Sequence, residues 1–517
     1  MKLNYKRTIL VGFAFFLISA FWQAYDATIP VILTNKFGMS QTWSGVIMAL
    51  DNILAVFLLP VFGTLSDKCS TRYGKRTPFI TIGTVIAAAA ILCLSFVDNA
   101  QLKNISDAAT IDDPAALAVI YDTQADRELL TPEGDTVVLS EEFTRDEFTA
   151  ITCKITDAET GKTITNPDYT NYVAPARQAY AAQQTVQNPL PLILFIALLL
   201  VVLLAMATFR SPAVALMPDV TMKPLRSKAN AIINLMGTAG GILVLVLGMV
   251  FATSAVQNAL MSYTAYYGVI AAIMIGSLVI FLSSVREPKW AAEMAADSVK
   301  YGIEEETADE GQKRGLTSAE KRSLLLILAS IALWYFGYNA VTSKYAVYAG
   351  NILDKDYNTT MLLAQAAAIV AYVPAGNVAT KIGRKKTILA GVVMLCTAFT
   401  VAAFMRASSP TWMMNLMFAL AGVAWATINV NSFPMVVEMC SGADIGKYTG
   451  FYYTASMSAQ IATPMLSGFL MDRLGMTVLF PYAAIFVALA FVTMSLVRHG
   501  DAKVTAKKGL EALDNEE

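Results

Sequence analysis

Residues 63–79 read GTLSDKCSTRYGKRTPF, and residues 376–388 read GNVATKIGRKKTI. Each is a basic stretch opened by a glycine and set between two long apolar runs, and the glycines lie 313 positions apart. The same offset carries Tyr25-Asp26-Ala27 onto Tyr338-Asn339-Ala340. Farther along, Asn230, Asn234 and Thr238 fall on Tyr452, Ser456 and Gln460 at an offset of 222. The offsets differ by about the length of the acidic segment from Asp98 to Gln187. The chain therefore reads as one unit written twice, with that segment inserted into the first copy.

Composition says where such a chain lives. Of 517 residues, 56% are hydrophobic and 15% charged, with mean hydropathy +0.53. Soluble domains carry roughly 25% charge, so this chain cannot cover a water-facing surface of its size. A bilayer-crossing helix needs about 20 mostly apolar residues. Such runs fall near 8–34, 42–62, 78–97, 189–209, 229–253 and 261–285, then near 323–346, 360–379, 387–405, 411–432, 448–470 and 476–497. The expectation is an all-α polytopic membrane protein with twelve transmembrane helices in two six-helix halves, 1–285 and 323–497. A cytoplasmic linker at 286–322 joins the halves and a tail at 498–517 follows. The first run is too long for a signal-peptide core and lacks a small-residue cleavage site, so it is expected to stay attached.

Of the 38 lysines and arginines, 27 fall on one side of these spans, which makes both termini cytoplasmic and the 98–187 insertion extracytoplasmic. Apolar and polar residues alternate around Glu133–Thr165 with a turn signal at 157–161, which reads as a β-hairpin or small sheet, so the insertion is a loop or a small β-rich unit. It is either a poorly packed solvated cap or an ectodomain that gates or captures substrate. Cys153 is the only cysteine outside, so no intramolecular disulfide staples it. The net charge of −1 offers nothing to nucleic acid, and the single histidine, His499, excludes most histidine-based catalysis and zinc chemistry. There is no phosphate-binding Gly-rich loop, metal cluster or nucleophile–base pair, so the chain is not expected to be an enzyme.

The basic loops after helices two and eight resemble those of the major facilitator superfamily. The residues that carry this are Gly63, Asp67, Arg72, Gly74, Lys75 and Arg76, with Gly376, Gly383, Arg384, Lys385 and Lys386 in the second half. The Asp beside a helix terminus can pair with a neighbouring Arg and latch the cytoplasmic ends; the positive charges otherwise serve topology alone. Three stretches are similar to the sucrose-carrier group of the glycoside–pentoside–hexuronide:cation symporters: SDKCSTRYGKRTPFI at 66–80, SPAVALMPDVTMKPLRSKANAIINLMGTAGG at 211–241 and GKYTGFYYTASMSAQIATP at 446–464. The resemblance implies cation-coupled uptake of a glycoside by a carrier that usually works as a monomer. Melibiose-type relatives carry two carboxylates one turn apart in helix two. Here Asp51 stands at the first place and Ala55 at the second, which favours H+ over Na+ as coupling ion. No other cofactor is expected.

Ionisable groups inside a membrane helix cost about 2.5–3.5 kcal/mol each on insertion scales, so they mark function or a structural pair. Asp26 shares a face of helix one with Trp22 and Tyr25, a ring-plus-carboxylate set that suits a sugar. Asp51 lies in mid-helix two, where a partly desolvated carboxylate suits proton pick-up and release. Either one serves the sugar and the other the proton. Asn230, Asn234, Tyr338, Asn339, Gln365, Asn429, Tyr452, Ser456 and Gln460 supply uncharged donors and acceptors for a polyol, or else hold helices together. Lys344 either snorkels to water or pairs with Asp26. Asp219 and Arg226 pair as a gate or mark the membrane edge, as does Glu438. The competing readings are a proton-coupled exporter, for which helix five lacks the expected proline, and a non-transporting nutrient sensor. A plasma or bacterial inner membrane is the expected location.

Overall fold

The structure, a computed structural model, describes residues 3–156, 163–222, 225–300, 317–437, 439 and 445–499; within these, the side chains of 226–228, 230, 231, 373, 376, 377, 380, 437, 445–447 and 449 are outside the description. Six long helices form the first half: α1 (Tyr5–Asn35), α2 (Gln41–Lys68), α3 (Thr77–Asn104), α4 (Leu190–Asp219), α5 (Arg226–Val250) and α6 (Thr264–Ser284). Six form the second: α7 (Ser318–Tyr348), α8 (Tyr357–Ile382), α9 (Arg384–Ala403), α10 (Thr411–Val437), α11 (Ile445–Leu474) and α12 (Leu479–Ser495). All but α8 and α11 meet the length and hydropathy of a membrane span among the described residues. α11 is the more polar of the two, with Ser, Thr and Gln along it where it packs on α2, and α8 packs on α5 and α10.

Each half has its own core. Phe21, Phe37, Phe195, Phe209 and Tyr267 are fully buried in the first, as are Trp334, Tyr345, Tyr348 and Phe480 in the second. Most helices overrun the apolar runs that announce them, because ion pairs sustain their ends. Lys36 and Asp98 are fully buried, with Nζ 2.6 Å from both carboxylate oxygens and 2.8 Å from the Met261 carbonyl. That pair pins the tops of α1 and α3 beside the start of α6; removing one partner of such a pair costs about 3–5 kcal/mol.

The halves meet in a seam on the side that carries the insertion. Asp472 of α11 accepts from the backbone N–H of Gln41 and Thr42 at 2.7 Å each, holding the N-terminus of α2. Lys344 of α7 donates to the Gln41 carbonyl at 2.5 Å and is fully buried. It therefore neither snorkels nor meets Asp26, because the seam has already taken it. Gly45 and Gly468 let α2 and α11 touch backbone to backbone: a Cβ on Gly45 would lie 2.0 Å from the Pro464 carbonyl, and one on Gly468 2.2 Å from that of Gln41.

The insertion is a packed, mainly helical unit rather than a poorly packed cap, and the hairpin expected around the turn at 157–161 is among its elements. Helices Pro114–Gln124 and Ala174–Gln187 bury Leu117, Ile120, Ala176 and Tyr180 around Phe148. Asp113 caps the first of these helices, and a Thr144–Glu147 capping box starts the short helix Arg145–Thr149. Among the described residues its strands form two hairpins, β1 (Glu128–Leu130) with β2 (Thr136–Val138), and β3 (Lys154–Thr156) with β4 (Thr163–Thr165). The turn signal at 157–161 lies outside the described residues, but the strands flanking it pair. Their alternation has no core face to serve, since β3 is exposed throughout.

The unit is bolted to the first half, where Gln101 of α3 reaches Thr185 at 2.9 Å and Gln178 reaches the Met39 carbonyl at 3.0 Å. It also crosses to the second half. Pro132 accepts from the Met476 N–H at 2.7 Å, and the Thr165 hydroxyl meets Asp354 at 2.5 Å. The linker, in turn, contains an amphipathic helix, Glu287–Lys300, whose Trp290 lies under Arg7 at 5.1 Å.

Two outcomes follow from this packing. Burial and the Asp112 carboxylate push the Cys153 thiol up to about 11, so its reactive thiolate is rare at neutral pH. Maleimide is expected to modify Cys153 only after unfolding, and fast labelling of native protein would mean a loose cap. Gly45→Leu wedges the seam apart, so in a chain otherwise free of reactive cysteines, Asn358→Cys, 1% exposed in its native form, becomes accessible to an impermeant maleimide from the insertion side. Unchanged labelling would remove the seam as the closing element.

Candidate functional site

α1, α2 and α4 bring three charges together in the middle of the first half. Asp26 and Asp51, both half-buried, lie within Coulombic range of one another. Asp51 accepts from the Asn52 amide at 2.8 Å and faces Arg210. Among the described residues no hydrogen-bond donor reaches the Asp26 carboxylate. Arg210 is the functional group that the sequence reading missed. The apolar run of α4 stops at 209, which placed Arg210 in a loop, yet the helix continues to Asp219 and holds the guanidinium inside. Pro212, two residues on, ordinarily ends or kinks a helix, yet α4 carries it and Pro218 inside, so the sequence offered no usable signal.

Aromatic rings wall this trio. The Arg210 guanidinium lies 5.7 Å from the Trp22 ring, and Trp22 meets Tyr25 edge to face at 5.4 Å. Trp22 Nε1 and the Tyr25 hydroxyl are buried with no protein partner. From the second half, Tyr338 of α7 comes within Coulombic range of Asp26, and Tyr453 of α11 within that of Arg210. Tyr338 stacks flat on Trp425, centroids 3.6 Å apart and planes at 5°, while Tyr335 meets the same indole at 85°.

The other polar residues divide. Asn339 follows Tyr338 on α7 and has a buried amide nitrogen with no protein partner. Asn429 is hydrogen-bonded to Tyr372. Gln365 instead reaches across the seam, donating to Gln23 at 2.5 Å while Gln23 donates to Tyr357 at 3.1 Å. Tyr452 is buried against Ser432 at 3.2 Å. Ser456 and Gln460 bond to carbonyls of their own helix, at 3.2 and 3.3 Å. Asn234 is exposed and accepts from Thr238 through its carbonyl; the side chain of Asn230 lies outside the described residues.

The loop after α2 forms a second centre. The Glu287 carboxylate accepts from the N–H groups of Lys75, Arg76 and Thr77 at 2.6, 2.9 and 2.9 Å, and so caps α3. Gly74, at φ +115°, makes room, since a Cβ there would lie 2.2 Å from the Glu287 carboxyl carbon. Arg76 binds Asp67 at 2.5 Å and Asp219 at 2.8 Å, with the Gly63 carbonyl at 3.5 Å. Asp219 thus has Arg76 as its partner; the side chain of Arg226, and Glu438, lie outside the described residues. Arg72 folds over Tyr73 at 4.6 Å and takes no part. In the second half, Gly383 at φ +95° makes the turn into Arg384 and α9, and Lys385 donates to the Val497 carbonyl at 2.6 Å. These charges tie helices within each half.

Comparison with known proteins agrees with this architecture. The Major Facilitator Superfamily model matches residues 354–513, and the MFS/sugar transport protein model matches residues 10–102. The sucrose transport protein SUC4 of Arabidopsis thaliana is 30% identical over 74 residues, 14% of each chain. The human proton-associated sugar transporter A is 35% identical over 72 residues, 14% of this chain and 9% of that one. The chain spans less than a third of the length of the curated relatives it matches, 29% for the first. The inward-open xylose transporter XylE from E. coli superposes with a TM-score of 0.59 at 14% identity, over 99% of this chain and 100% of that one. At that identity the likeness establishes the fold. Relatives and fold alike are those of multi-pass carriers of small molecules rather than enzymes, and over the matched segments the chain is similar to the major facilitator superfamily.

Proposed function

We propose that this carrier couples the uptake of a glycoside, such as sucrose, maltose or a related di- or oligosaccharide, to protons. The observation that carries the reading is the trio of two carboxylates and one guanidinium, set in an aromatic wall contributed by both halves. Rings stack on the apolar C–H faces of a sugar, while Asn339, Trp22 Nε1 and the Tyr25 hydroxyl hold unspent hydrogen-bonding capacity. The trio carries a net charge of −1, which a single proton neutralises. Arg210 and Asn52 already compensate Asp51, so Asp26 is the proton site and Asp51 sets the field around it. A sodium ion wants several oxygen ligands, and Ala55 stands where a further carboxylate would be. The printed names of the relatives, a sucrose carrier and a proton-associated sugar carrier, point the same way.

The distribution of lysine and arginine puts the termini in the cytoplasm, in a plasma or bacterial inner membrane. With the insertion side sealed, this state faces inward. Sugar and proton leave together, because a neutral trio crosses the barrier at less cost than a charged one. The chain works as a monomer, each half moving against the other.

The test is the pH outside deenergised cells after addition of sucrose, maltose or melibiose. Wild type is expected to alkalinise the medium. Asp26→Asn loses alkalinisation and accumulation yet keeps sugar exchange, whereas Asp51→Asn loses uptake by roughly tenfold or more, the scale of ~1.4 kcal/mol. Full alkalinisation in Asp26→Asn would move the proton elsewhere, and no response to any sugar in folded, membrane-inserted protein would sink the substrate class.

A further inference from the structure

A cavity of about 340 Å³ lies between the insertion and the sealed seam, and Asp26, Asp51 and Arg210 are not among its walls. Thr131 and Arg177 line it from the insertion, Gln41 and Ser254 from the first half, and Asn351 and Asp472 from the second. Two of these side chains are buried with capacity to spare. Gln41 is 3% exposed, and neither its Nε2 nor its Oε1 has a protein partner. Arg177 is 5% exposed; its Nη1 donates to the carbonyls of Ala108 and Thr110 at 2.5 and 3.2 Å, but Nε and Nη2 have no partner. Those two nitrogens share one edge of the guanidinium, the edge that grips paired oxygens.

Leaving a buried donor or acceptor unmatched is costly, and the two residues that carry these four atoms line one space. The acidic neighbours do not fill the need. Asp112 spends its carboxylate on the N–H and thiol of Cys153, at 2.6 and 3.0 Å, and Asp472 spends both oxygens on the N-terminus of α2. A matching ligand offers adjacent oxygens to the Arg177 edge and both donates to and accepts from the Gln41 amide. Vicinal hydroxyls do all three.

We propose that this cavity is a second binding site, distinct from the central one, for a small hydroxyl-rich molecule of the transported sugar's class. The ligand class rests on the glycoside reading above; the site does not. Both halves and the insertion supply its walls, so it exists only while the insertion side is closed. An occupant holds that state and slows the cycle, since a ligand shifts an equilibrium by its differential affinity. Uptake is then inhibited by its own substrate at high external concentration.

Equilibrium binding of radiolabelled sucrose to the full-length chain in nanodiscs tests this. Wild type is expected to bind two molecules per chain. Gln41→Leu and Gly350→Phe are each expected to bind one; a side chain at Gly350 starts in open space, with nothing within 4 Å of its Cβ, so the second variant fills the cavity without disturbing the fold. Trp22→Ala also binds one, having lost the central molecule. A single sucrose that Trp22→Ala removes and Gly350→Phe leaves would overturn the second site and spare the transport reading. A single sucrose that only the cavity variants remove would keep the site and overturn the central assignment. No binding to any of the chains would overturn both.

Discussion

Asp472 presents both carboxylate oxygens to the first turn of α2, and Lys344 takes the Gln41 carbonyl beside it. An N-terminal helix turn has N–H groups that water cannot reach in a sealed seam, so something must accept from them. One carboxylate from the opposite half does so. That arrangement makes the register of α2 on α11 a matter of hydrogen-bond geometry rather than apolar contact, and Gly45 and Gly468 bring the backbones near enough for it. The sealed mouth, the cavity beneath the insertion and the placement of Gln23 against Gln365 all depend on this closure.

Charges buried in the body differ in how completely they are matched. Lys36 has a carboxylate, a carbonyl and the Tyr263 ring. Arg76 has two carboxylates, and Glu287 has three backbone donors. These groups hold helices in place, and nothing about them changes unless the fold does. The central trio is different: the guanidinium of Arg210 faces Asp51, and Asp26 beside it has no described donor. An incompletely matched charge in a low-dielectric setting is poised to take up a proton or a ligand, whereas a fully matched one is poised to do nothing.

The repeat at 63–79 and 376–388 made the two-half architecture legible, because a glycine-opened basic turn between apolar runs has few other uses. Asp26 and Asp51 were legible for a similar reason, since each interrupts an apolar run in the open. Arg210 was not, because it sits where a run stops, and an apolar window cannot tell a helix that ends from one that becomes polar. Gln365 and Lys344 read as site or surface residues, but both serve the seam. Their partners, Gln23 and the Gln41 carbonyl, are more than 300 residues away in the chain, a distance no periodicity reports. In the insertion the hairpin was legible because its strand-like alternation is local, whereas the core is assembled from helices 114–124 and 174–187, separated by both hairpins.

Turning outward requires trading the seam for something of similar worth. The described clasps of Arg76 and of Lys385 on Val497 lie within their own halves, so these contacts persist whichever way the carrier faces. The insertion tilts the balance further. It is fixed to the first half through Gln101 and Gln178, and it reaches the second at Met476 and Asp354, so opening must break both of those contacts along with the Asp472 cap. Each net hydrogen bond is worth about 0.5–1.5 kcal/mol, so opening has to give up several of them together. A driving ion has most to contribute under that condition. On the coupling proposed above, a proton at Asp26 removes the net charge that resists movement, so its energy enters where closure opposes the turn.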